Sequence, residues 1–139
     1  MDAAAVEAFI DLFESRQLPR EHWTHQAHIV AGFWYAQRLG MPGALEAVRG
    51  RIRAHNEAVG TPNSDEDGYH ETITRLYMTA IADHVDRHRH LSFSESLRAL
   101  LDSPIAGKHW PFGYYSRERL LSVAARRGWL APDLKETIP

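Results

Sequence analysis

The stretch EHWTHQAHIV, Glu21 to Val30, places His22, His25 and His28 within seven residues where a helical pattern begins. Three residues apart on a helix, His25 and His28 lie on adjacent turns and can converge on one point. Neutral imidazole nitrogens are good ligands for zinc, iron and nickel, so the pair is half of a metal site. A further ligand must come from elsewhere, and GYHET supplies His70 with Glu71 beside it. Two imidazoles plus His70 would make a three-histidine site with an open position, as catalytic zinc requires. Two imidazoles plus Glu71 would make the facial arrangement of non-haem iron. Neighbours on a helix diverge by about 100°, so His70 and Glu71 should not bind one ion together. We expect His25, His28 and His70 as ligands of a divalent metal, zinc or iron, with Glu71 supporting a ligand or acting as general base. Tyr115, just before a Ser cap, would orient a small substrate. Gly32, one turn beyond His28, leaves room beside the pair, and His22 precedes the cap and reads as exposed.

The same residues have a plainer reading. First-turn side chains such as His25 and Glu71 often bond their own backbone, and a carboxylate there suits the helix dipole anyway. An i,i+3 histidine pair also arises readily by chance among nine histidines. These groups would then form a satisfied polar cluster in a metal-free binding module. His55, on the inward stripe of the third helix, reads as a buried imidazole with one hydrogen bond. His84 and His88 have the i,i+4 spacing of helical zinc sites, but Arg87 and Arg89 interleave with His88 and His90 and repel a cation. Trp110 and Phe112 could line an apolar pocket or staple the last helix to the bundle. Lys108 and His109 carry no assignment. The chain contains no H-E-x-x-H, P-loop, G-x-S-x-G or G-x-G-x-x-G motif, so none of those routes to protease, NTPase, hydrolase or dehydrogenase is supported.

Helices must position all of these groups. Val6, Phe9, Ile10 and Phe13 follow three-and-four spacing, which predicts a helix over about Ala3 to Arg16. Thr24 caps a second that runs to Leu39 before Gly40. A third covers about Gly43 to Val59, with Leu45, Val48, Ile52, His55 and Val59 inward. TPNSDEDG is the strongest loop. A fourth helix follows over His70 to His88, and Ser92 with Glu95 forms the capping box of a fifth that ends at Leu101. Ser116 caps a last helix, Arg117 to Arg127. Beyond it, from about Trp129, the expectation is a surface tail pinned by Trp129 and Leu130. No run alternates long enough to be a strand. The reading is an all-α, single-domain bundle of five to six helices spanning 1–139.

Composition narrows the function classes. A chain of 139 residues with 44% apolar residues can bury a real core. Without cysteine it offers no thiolate catalysis, disulfide or Cys-based zinc site. Sixteen Lys and Arg against eighteen Asp and Glu argue against nucleic-acid binding, which depends on phosphate neutralisation. An acid at position 2, where a signal peptide needs a basic start, and the lack of a bilayer-length apolar run lead us to expect a cytoplasmic protein with no membrane partner. The aromatic content permits a homodimer without requiring one. Unperturbed imidazoles would also permit a pH response.

WTHQAHIVAGFWY, NEAVG, GYHETITRLY, YYSRERL and GWLAPD, in that order, resemble a family of small all-helical bacterial proteins of uncharacterised activity, over roughly residues 20 to 135. In that pattern H-x-x-H matches His25 and His28, Y-H-E-T matches Tyr69 to Thr72, and Y-S matches Tyr115 and Ser116. The family carries an aromatic where this chain has His55, which favours a core role there. The resemblance implies the helical fold and no activity. Two functions follow from the residues themselves. One is a small metal-dependent enzyme of hydrolase type that acts through metal-activated water. The other is a metal-free helical module that binds a small-molecule ligand or a partner helix.

Overall fold

Short polar side chains start most of the helices. Asp2, Thr24, Ser92, Ser116 and Ser122 each accept a hydrogen bond from a first-turn backbone N–H that has no helical partner. They open α1 (Ala3–Glu14), α2 (His25–Leu39), α5 (Phe93–Leu101), α6 (Arg117–Leu120) and α7 (Val123–Arg127). Between α2 and α5 lie α3 (Gly43–Ala58) and α4 (Glu71–Arg87). The computed structural model describes residues 1–135, and among these it contains helices and turns but no strand. The expected all-α fold is therefore observed, and the expected tail past Trp129 is described only to Lys135.

Among the described residues seven α-helices stand where five to six were expected, because the last one is broken. Ser122 Oγ donates to Arg119 O and accepts from Ala125 N, so one hydroxyl ends α6 and begins α7. Serine competes with the helical ladder through such local bonds.

The α2 helix is central and packs on α1, α3, α4 and α5, while α7 covers α4. Ile29 and Phe33 of α2, Val6, Ile10 and Phe13 of α1 and Ile81 of α4 are at most 2% exposed. Burial of each such side chain contributes about 1.5–3 kcal/mol. Gly32 allows α2 to approach α4 closely, since a Cβ there would lie 3.0 Å from Met78 Sδ and 3.1 Å from Ile81 Cδ1. The room expected beside the histidine pair is thus filled by Met78 and Ile81.

The 59–70 connection brings α4 back against α3. Gly68 has φ +80°, and a Cβ would collide with the carbonyl of Pro62, so the turn requires glycine. Asn63 Oδ1 accepts from Asn56 Nδ2 at 2.9 Å and from Tyr69 N at 3.1 Å, which locks the connection to α3. No helix among the described residues is long and apolar enough to cross a membrane.

Candidate functional site

A cavity of about 530 Å³ opens between α2, α3 and α4, within the usual range of small-molecule sites. The α2 helix contributes His25, His28 and Ile29, and α3 contributes Val48, Ile52, His55 and Asn56. The α4 helix adds Ile73, Thr74, Tyr77, Met78 and Ile81. Connecting segments supply Arg20, Trp23, Tyr69, His70 and Lys108. Four of the nine histidines therefore share one cavity, and the three expected as ligands are among them.

Their nitrogens are committed differently. A backbone carbonyl only accepts, so the ring nitrogen that faces one must carry the proton. His70 Nε2–H donates to Leu120 O at 2.8 Å, and its Nδ1 accepts from Ile73 N at 3.1 Å. His70 is the N-cap of α4, one residue before the helix, and its ring has no lone pair left for a metal. Burial pushes its pKa down, although the Leu120 carbonyl acts the other way. A metal bound by His70, the third ligand expected, would have to displace the helix cap. Among the described residues no group of three or more His, Asp or Glu is arranged to hold a metal ion.

His25 and His28 each keep one nitrogen. His25 Nε2–H donates to Ala106 O at 3.0 Å, across 81 positions of sequence, and its ring meets Tyr77 edge-on. Tyr77 in turn donates to Gly107 O at 2.8 Å, so both side chains pin the segment that carries Lys108 over the cavity. His28 Nδ1–H donates to Thr24 O at 2.7 Å, and its ring packs 3.9 Å from Trp23, tilted by 33°. Burial pushes the His28 imidazole down to about 4 against the opposing effect of the Thr24 carbonyl, with small repulsions from His25 and His55. Its side chain nevertheless has free surface. Both facts hold if that surface faces the cavity interior, surrounded by protein. Nε2 is then an acceptor presented to whatever enters.

His55 is 1% exposed, and neither ring nitrogen has a partner among the described residues. Phe13 at 5.8 Å and Trp23 at 5.2 Å pack against the ring, and burial lowers its pKa. The one hydrogen bond expected for it is missing.

Glu71 is not a cavity residue. Arg49 grips it through two bonds of 2.9 and 2.7 Å, and Tyr69 donates to it at 2.6 Å. Burial would raise its pKa, but Arg49 and Tyr69 outweigh that and hold it below the usual carboxylate range. The clamp ties the start of α4 to α3 and aims Tyr69, whose own phenol is pushed up to about 12 by burial and by Glu71. Tyr115 lies in a separate cluster with Leu76, Tyr114 and Leu120. It is fully buried and donates to Leu130 O, so it anchors the chain end and faces no substrate. Neither of these two residues, expected as base and substrate-orienting phenol, lines the cavity that holds His25 and His28.

Arg20, Trp23, Asn56 and Lys108 were missed as site residues. Arg20 lies on a single 3-10 turn and Lys108 on a loop, segments too short for periodicity to reveal which way they point. His84 and His88 stack on each other at 3.9 Å away from this cavity, bonded to Ser96 O and His84 O. Compared with protein-family models, curated proteins and solved structures, the chain matches none of them.

Proposed function

We propose that the chain is a helical module that binds a small, largely apolar molecule in the cavity between α2, α3 and α4. The observation that carries this reading is the free Nε2 of His28, held by Thr24 O at its other nitrogen and set in a wall of isoleucine, valine and aromatic side chains. Such sites orient a ligand through a few placed polar atoms on an apolar surface. Here a ligand hydroxyl or N–H would donate to His28, while apolar contact supplies most of the affinity.

Trp23 packs on His28, so its fluorescence should report occupancy. Titration with a panel of small apolar compounds should change that emission saturably, and Val59→Trp, which adds bulk to the cavity wall, should abolish the response. A flat response across the panel, or an undiminished one in the filled variant, would refute the reading.

The second reading is a divalent-metal enzyme of hydrolase type. Its support is that His25 and His28 each keep one nitrogen free of protein hydrogen bonds beside the cavity. Against it stand the commitment of His70 to Ile73 and Leu120 and of Glu71 to Arg49. Elemental analysis after purification without a nickel column decides between them. Close to one equivalent of zinc or iron, lost in His28→Ala, would favour the enzyme.

A further inference from the structure

We infer that the ligand is a small organic carboxylate, its apolar body between α2, α3 and α4 and its anionic head at the mouth beside Arg20 and Lys108. This rests on the ligand-binding reading proposed for the same cavity.

Charge segregation carries the inference. The chain has more acids than bases, eighteen against sixteen, yet the wall holds Arg20 and Lys108 and no Asp or Glu. Both cations are exposed, which places them at the mouth, and neither forms an ion pair among the described residues. Of the four carboxylates next in sequence to wall residues, Glu71 is neutralised by Arg49, and Glu21, Glu57 and Asp67 are exposed and do not line the cavity, while Asp65 of the 61–68 loop is held by Arg127. The α2 and α4 helices also begin at the cavity, since His25 is the first residue of one and His70 caps the other. Their positive dipole ends add to the same potential.

Desolvation sets the orientation. A carboxylate taken fully into the apolar interior would lose several kcal/mol of hydration without a paired charge. Left at the mouth it stays partly hydrated and meets two cations, while its hydrocarbon part covers Ile29, Ile52, Ile73 and Ile81. A cationic ligand is disfavoured twice. It would face Arg20 and Lys108, and two of the three aromatic side chains in the wall already have a face covered: Arg53 lies over Tyr69 at 4.7 Å, and His28 and Phe13 pack on Trp23.

Isothermal titration calorimetry at pH 7.5 with octanoate, 1-octanol and octylamine tests this, using the unmodified chain and the double variant R20Q/K108Q. Octanoate should bind about tenfold more tightly than either other probe, a difference of about 1.4 kcal/mol. The double variant should lose about that factor for octanoate and keep its octanol affinity and its melting temperature. Octanol binding as tightly as octanoate, tighter octylamine binding, or an octanoate affinity untouched in R20Q/K108Q would overturn the carboxylate assignment and leave the cavity reading standing. Binding of none of the three probes would overturn both.

Discussion

The start of α4 and the corner formed by Trp23, His28 and His55 each set a buried imidazole against the same cavity. His70 is 7% exposed and His55 1%. At the α4 start every polar group near the ring is paired: His70 with Ile73 N and Leu120 O, Glu71 with Arg49 and Tyr69. In the aromatic corner, among the described residues, His55 has no partner and His28 keeps Nε2 free. Burial is the same in kind, and the hydrogen-bond accounting is opposite. A paired imidazole contributes to stability, whereas an unpaired buried one costs about 1–3 kcal/mol. The first region is built for the fold. The second keeps polar atoms uncommitted, which is what a binding wall needs.

That contrast can be broken by mutation, starting with the largest effect. His70→Ala removes the α4 cap and orphans the Leu120 carbonyl, so it should cost about 2–4 kcal/mol of unfolding free energy in a urea titration. A cost under about 1 kcal/mol would show that the pairing at the α4 start is not structural.

Acidification should come next. Burial holds His28, His55, His70 and His84 below the 6.5 of a free imidazole, with His28 at about 4. Their folded-state pKa values are depressed, so the unfolded chain binds more protons between about 4 and 6.5. Stability is then fully present above pH 6.5 and falls as pH falls through that window. The melting temperature should drop by about 5 °C or more from pH 7 to pH 4.5. His70→Asn should flatten part of that slope, and a curve level across the range would contradict the burial of these rings.

The smallest effect is expected at His55. Replacing an unpartnered imidazole by an apolar side chain of similar size removes a desolvation cost and no bond, so His55→Leu should change stability by less than about 1 kcal/mol, or raise it. A loss as large as that of His70→Ala would erase the distinction between the two regions.

The scaffold was legible because its signals are local. Thr24, the Ser92–Glu95 box and Ser116 each mark a helix start within a few residues of sequence, and the inward stripe of α3 placed His55 correctly as buried. The histidine pair was also legible as two imidazoles on adjacent turns of α2. The use of each nitrogen was not. Whether His70 is the first residue of α4 or its cap is a one-residue difference, finer than periodicity resolves, and its second partner, Leu120, is fifty residues away. Likewise nothing near Tyr115 announces the Leu130 carbonyl, and nothing near Glu71 announces Arg49.

By itself, then, the order of residues determined that this chain is helical, where most of its helices begin, and which side of each turns inward, since caps and three-and-four spacing act within a turn or two. Only the tertiary structure decided which lone pairs stay free, because a hydrogen bond depends on atoms brought within about 3 Å from distant segments. His70 and Glu71 are committed in this way to partners from distant segments, while His25 and His28 each keep one nitrogen free of the described residues.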